Sequence, residues 1–409
     1  RLGASGAASC KDAIPESCDL LVVVPHLGAG GAQRVVSLLV NYWYDSGLRP
    51  AILTLYGQAD AHPLNPAVPR DDFAASNTDS GERTWIAERY LAAESRLTNA
   101  GSAGPRTMRW LTEGMLASMR AVRKARAFVL TRRSLQGHES YAAKRVQWLR
   151  GRFEAFKPRV ILSFVGSTNI QTLLAARDLG IKVLISERND PALQQLDVPW
   201  ETMREQIYPE ADIVTANSAG ALRTMARYIV AEKLRQVANP LDVPAPAARL
   251  ECRQNRLVLV ARLVPQKGVD VLLEAFARVA REAPTWELDI VGDGPLRPQL
   301  EAQGSALDID AQTHFHGHVP DPFPFLYRAS VFVLPSRFEG MPNSMLEAMA
   351  CGLAVIVSDA SPGPLELIRD EDTGLVFPVN DVEALAKAMR RVINDVLLRI
   401  RLAQAARLA

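Results

Sequence analysis

"LVLVARLVPQKGVDVLLEAF" (residues 257–276) passes from a strand pattern through a turn into a helix. Leu257–Val260 is a short apolar run, the pattern of a strand covered on both faces. Gly268 interrupts it, and Val269, Leu272, Leu273 and Phe276 then recur at helical spacing. A buried strand feeding directly into an amphipathic helix is one unit of a parallel sheet.

The unit repeats in both directions along the chain. Strand candidates in the second half are "RLVLVA" (256–261), "WELDIVG" (286–292), "THFHG" (313–317), "SVFVLPS" (330–336), "LAVIVSD" (353–359) and "GLVFP" (374–378). In the first half they are "DLLVVVP" (19–25), "PAILTLY" (50–56), "RVILSFV" (159–165), "IKVLISE" (181–187), "DIVTANS" (212–218) and "QVA" (236–238). The expectation is an α/β chain with two doubly wound Rossmann-like domains facing a cleft. The boundaries read as 1–240 for the first domain, 241–255 for a Pro- and Ala-rich linker and 256–390 for the second. A C-terminal helix, 391–409, is expected to pack back towards the first domain. Residues 57–105 read as an irregular, polar surface insertion.

Bulk properties narrow the function classes. A chain of 409 residues with 48% hydrophobic and 22% charged residues is of the globular type. No apolar run reaches the roughly 18 residues of a membrane-spanning helix, and no leader pattern is visible in residues 1–18. The four cysteines, Cys10, Cys18, Cys252 and Cys351, have neither disulfide nor metal spacing, which suits a reducing, cytoplasmic setting. The net charge of +2 hides an uneven distribution, because residues 106–159 hold 14 Lys/Arg against three acids. That segment interleaves its cations with Trp110, Met115, Phe128, Trp148 and Phe153. One reading is an amphipathic basic surface for an anionic membrane. The other is helices that cover the first sheet. No recognition motif accompanies the charge, so nucleic acid is not an expected partner.

Ligands of open α/β sheets bind off the carboxyl ends of the strands, and four motifs stand there. "PHLGAGGAQR" (25–34) brings Gly30 and Gly31 to a helix start, where backbone can approach an anion. It is a poor dinucleotide fingerprint, since Gln33 stands where a third glycine belongs. Arg262 and Lys267 put two cations before a helix N-terminus, an unfavourable place unless an anion such as a diphosphate lies between them. Gly292 and Gly294 in "VGDGP" make either a plain βα turn or a loop that contacts the ligand, and they are candidate donor-binding residues. "SRFEGMPNSMLEAMACG" (336–352) carries Glu339 in a Gly-Pro loop and Glu347 in the following helix. The bland reading is a capping box, Ser344 with Glu347. His314, His316 and His318 alternate on one strand without a carboxylate close in sequence, and no metal site is expected.

Together these motifs resemble the retaining glycosyltransferases of sugar-nucleotide-dependent family 4, which have the GT-B architecture. The likeness is carried by Arg262 and Lys267, "VGDGP", the E-x7-E element of Glu339 and Glu347, and "TGLVFPVND". "GGAQRVV" and "ADIVTANSAG" carry it more weakly in the first half. The resemblance implies that Arg262 and Lys267 bind the donor diphosphate and that Glu339 holds the donor sugar. The backbone of Gly340, Met341, Pro342 and Asn343 would assist Glu339, and Glu347 would hold the ribose. Gly30 and Gly31 would face the diphosphate, and Arg34 would reach an anionic acceptor group. Where many members have a histidine beside the sugar, this sequence reads "ISERNDP" (185–191), which leaves Arg188 and Asn189 as the sugar-side residues. The implied reaction moves a hexose or N-acetylhexosamine from a nucleotide sugar to a glycan, polyprenyl-diphosphate-linked at the inner membrane face. No cofactor or metal is expected. A soluble acceptor, or a catalytically silent sugar-nucleotide-binding protein, is the alternative.

Overall fold

The computed structural model describes residues 18–76, 142–194, 196, 198–244 and 253–409. Two sheets account for the strands among them. The first contains β1 (Leu20–Val24), β2 (Pro50–Thr54), β3 (Arg70–Asp72), β4 (Val160–Phe164), β5 (Lys182–Glu187), β6 (Ile213–Ala216) and β7 (Leu234–Gln236). Its spatial order is β3-β2-β1-β4-β5-β6-β7. The second contains β8 (Arg256–Val260), β9 (Glu287–Val291), β10 (Thr313–Gly317), β11 (Val331–Leu334), β12 (Ala354–Ser358) and β13 (Leu375–Phe377). Its order is β10-β9-β8-β11-β12-β13. Neighbouring strands pair in parallel throughout.

Both orders reverse direction once, between β1 and β4 and between β8 and β11. At such a reversal the flanking helices leave on opposite faces of the sheet and open a crevice off the strand ends. The loops after β1, β4, β8 and β11 therefore border the two crevices. They carry the sequence motifs at 26–31, 262–267 and 336–343.

Packing explains why the strands read as unbroken apolar runs. Leu21, Val22 and Val23 of β1 are fully buried, as are Val331, Phe332 and Val333 of β11, with helices on both sides. Each such side chain contributes roughly 2 kcal/mol through burial. The helix Val269–Ala280 buries Val269, Leu272, Leu273 and Phe276, the stripe expected from its spacing.

Four expectations are corrected here. The stretch 57–105 is not wholly irregular, since Arg70–Asp72 adds an edge strand to β2 and Phe73–Ser76 forms a short helix. Its remainder, from 77, lies outside the described residues. The C-terminal helix, Val396–Leu408, places Leu402, Ala403 and Ala406 in the second domain's core against β12 rather than turning back to the first domain. In the basic segment, helical residues 142–156 cover the first sheet: Leu149, Phe153 and Phe156 are in its core, and Trp148 packs edge-on to Phe73. Arg145 stacks on Tyr56, and Arg152 pairs with Asp71 at 2.7 Å. The membrane expectation thus loses Trp148 and Phe153. Residues 106–141 lie outside the described ones. Finally, His314 and His316 do have carboxylates, supplied by β9. His314 meets Glu287 at 2.7 Å and His316 meets Asp289 at 2.6 Å. Arg256 and Arg328 neutralise Asp289, each 3.0 Å away, so the cluster is a charge network. Among the described residues no group of three or more His, Cys, Asp or Glu is placed to hold a metal.

Candidate active site

The loop after β11 is tied to the turn after β8. Arg337 forks onto Asp270 at 2.7 and 3.0 Å, and Gln266 donates to the Phe338 carbonyl at 2.9 Å. These bonds bring two sequence-distant motifs together. Lys267 Nζ lies 2.5 Å from Glu339 Oε1, and both side chains are largely buried. Ser336 Oγ donates to the same carboxylate oxygen at 2.6 Å, while the Glu339 amide donates to Ser361 Oγ at 2.8 Å. Glu339 is 6% exposed, and Lys267 and Ser336 are the side-chain partners that satisfy its buried oxygen.

The geometry of this loop depends on two glycines. A Cβ at Gly340 would lie 2.2 Å from the Arg188 carbonyl oxygen of the first domain. A Cβ at Gly363 would lie 1.7 Å from the Gly340 carbonyl oxygen. The backbone of 340–343 can approach the first domain only because these side chains are absent.

Glu347 does not complete a capping box. The helix Asn343–Ala350 starts two residues earlier than that motif needs, after Pro342, and no side chain caps it. Glu347 instead faces the cleft, where Arg34 Nη1 of the first domain lies 3.1 Å from its Oε1. Burial pushes the Glu347 carboxyl up to about 7, and the Arg34 guanidinium only partly offsets that. Arg34 was expected on the acceptor side. It is committed to the second signature acid and also lies 5.4 Å over the Phe323 ring.

Across from the Lys267 turn is the glycine loop after β1. Gly30 is extended and the helix Gly31–Asp45 begins without a side-chain cap, leaving its first amides for a ligand or water. His26 was missed by sequence reasoning, and no pattern marks it. Its Nδ1 accepts from the Gly28 amide at 3.1 Å, which puts the ring proton on Nε2. Burial, aided by the nearby positive charge of Arg262, pushes it down to about 4, so it is neutral at physiological pH. That coupling puts Arg262 within electrostatic reach of His26. Gly292 and Gly294 follow β9 with their Cα atoms against the backbone of Ala261 and Leu263, on the same strand end.

The sugar-side residues separate. Asn189 turns away and donates to Gln194 at 2.7 Å. Arg188 lies over Phe164, 5.8 Å from the ring centre, and donates to Asn239. Burial brings the Arg188 guanidinium down to about 10, still charged. Behind it Glu187 is buried, held by the Tyr208 hydroxyl at 2.7 Å, and its carboxyl is pushed up by desolvation. Val165, at the end of β4, has φ 76, a strained value for a β-branched residue. Such strain, roughly 1–3 kcal/mol, tends to accumulate at functional sites.

The site thus has two carboxylates, each met by a cation, with a glycine loop opposite. Residues 247–409 match the family described as Glycosyl transferases group 1. Over 173 residues the chain is 32% identical to an uncharacterized glycosyltransferase of Haemophilus influenzae, covering 42% of this chain and 49% of that one. It is 25% identical over 239 residues to the N-acetylgalactosamine-N,N'-diacetylbacillosaminyl-diphospho-undecaprenol 4-alpha-N-acetylgalactosaminyltransferase of Campylobacter jejuni, covering 55% and 65%. These alignments span less than two thirds of each relative. The fold is that of GT-B glycosyltransferases. A mutant of S. aureus TarM in complex with Fondaparinux, alpha-GlcNAc-glycerol and UDP superposes with a TM-score of 0.69 at 10% identity, covering 95% and 96%. Anabaena HepE in complex with UDP and glucose superposes with a TM-score of 0.66 at 16% identity, covering 96% and 94%.

Proposed function

We propose that this chain is a retaining glycosyltransferase of family 4 that moves a hexose or N-acetylhexosamine from a nucleotide sugar to a lipid-linked glycan. The observation that carries the reading is the Lys267–Glu339 ion pair, 2.5 Å long, at the strand ends opposite the glycine loop. In this reading the donor diphosphate lies between Arg262, Lys267 and the amides that follow Gly30. The sugar lies along Glu339 and the backbone of 340–343, and the ribose hydroxyls take the place of Arg34 on Glu347.

The bond from the anomeric carbon to the diphosphate oxygen breaks as the acceptor oxygen forms its bond on the same face. The acceptor proton passes to the departing phosphate oxygen, giving glycoside and nucleoside diphosphate. Negative charge grows on that phosphate, and cations that hold it more tightly at that moment lower the barrier. Arg262 and Lys267 supply the positive charge from the chain itself, and the proposed reaction needs no metal. Arg188 sits on the sugar's other side. The lipid-linked acceptor is supported by the Campylobacter relative's printed activity, and 106–141 is the segment proposed to meet the anionic membrane surface.

A thermal-shift screen of the full chain against UDP-glucose, UDP-N-acetylglucosamine, UDP-N-acetylgalactosamine and GDP-mannose tests the reading. One nucleotide sugar should raise Tm in the wild type and fail to do so in Glu347→Ala. No shift with any donor would remove the proposal.

A further inference from the structure

We infer that Asn239 is a positioning residue whose amide locks Arg188 of the first domain to the 340–343 loop of the second. Its Oδ1 accepts from Arg188 Nη2. Its Nδ2 donates to the Met341 carbonyl at 3.0 Å and to Asn343 Oδ1. Asn343 in turn donates from Nδ2 to the Gly31 carbonyl at 3.1 Å. A chain of hydrogen bonds therefore runs from Arg188 through Asn239 and Asn343 to the glycine loop, crossing the cleft twice.

The chemistry requires a primary amide. At this length only asparagine accepts through one atom and donates two hydrogens through another. Asn239 uses both capacities and is 9% exposed, so water does not readily replace them. Its place in the chain adds leverage. It lies just beyond β7, where the backbone leaves the first domain for the second. Asn217 reinforces the same junction, its Nδ2 directed at the Arg188 carbonyl at 3.4 Å and the Met341 carbonyl at 3.5 Å. Without the Asn239 amide, the Arg188 guanidinium loses its link to the 340–343 loop, and the loop beside Glu339 loses an anchor to the first domain.

The kinetic consequence rests on the proposed donor reading, whereas the coupling does not. Two full-length variants separate the arms. N239D keeps an acceptor for Arg188 but loses both donations to the loop, and N239A loses everything. Hydrogen–deuterium exchange should be faster in both variants at 28–34 and at 340–347 together. Turnover of a UDP-sugar should fall by about 10²-fold in kcat with little change in donor KM, as expected when reacting groups are misplaced by an ångström. Unchanged exchange at 28–34 in N239A, or wild-type kcat in N239D, would overturn the inference. Faster exchange in both segments, with no sugar nucleotide turned over by the wild type, would leave the coupling standing and remove the donor reading.

Discussion

Arg34 and Glu347 stand 313 positions apart in the chain, yet their side chains meet at 3.1 Å across the cleft. The pair covers the acid proposed to hold ribose. In the proposed reading, ribose hydroxyls on Glu347 release Arg34 for the diphosphate or the acceptor.

This pair has a pH signature. The Glu347 carboxyl is raised to about 7, well above an ordinary glutamate, because burial outweighs Arg34. The unfolded chain therefore loses this proton first as pH rises. The folded state's advantage is complete below the ordinary carboxylate range and is lost as pH climbs through about 7, a change of roughly 3 kcal/mol at most. Denaturation of wild type and Glu347→Gln, compared between about pH 5 and pH 8, should show the wild type losing stability relative to the variant. Parallel curves would contradict this.

Gly363 has no room for a side chain, since its Cβ would press on the Gly340 carbonyl at 1.7 Å. Gly363→Ala should displace the loop after Glu339 and lower transfer by about 10²-fold. Circular dichroism should still report a folded chain. Wild-type transfer would show that the loop's position is unimportant.

Asp289 is fully buried beneath Arg256, Arg328 and His316, and these partners hold its carboxyl below the usual range despite desolvation. A depressed carboxylate stabilises the fold above its unfolded value, and that contribution is lost as pH falls through the acid range. Asp289→Ala should cost about 1–3 kcal/mol, because partly exposed Arg256 and Arg328 lose the carboxylate they share. Activity per folded molecule should not change, since the network lies outside the Lys267–Glu339 loop. Urea titration together with specific activity checks both statements.

Sequence alone conveyed the architecture because a parallel sheet buries both faces of its strands. Runs such as "VVVP" and "VFVLP" then admit few other structures, and the strand-end motifs mark the cleft. The partners of those motifs were less legible. Nothing local in "GGAQR" says that Arg34 points at Glu347, because the contact depends on how two domains face each other. Nothing local marks Asn239, two residues before the Pro- and Ala-rich linker, for the same reason. The bland capping-box reading fails because Ser344 is already inside the helix, and Glu347 meets Arg34 instead. His314 and His316 found their carboxylates on β9, a neighbour set by strand order rather than by sequence distance.

The central claim is that Lys267 holds the diphosphate that leaves. The direct measurement is release of nucleoside diphosphate from a panel of sugar nucleotides, in excess EDTA, by wild type and Lys267→Ala. The wild type should release it from at least one donor with EDTA present. Lys267→Ala should be slower by about 10²–10³-fold, the usual loss when a group that stabilises developing negative charge is removed. Equal release by both proteins, or release by the wild type only when a metal is restored, would contradict the account.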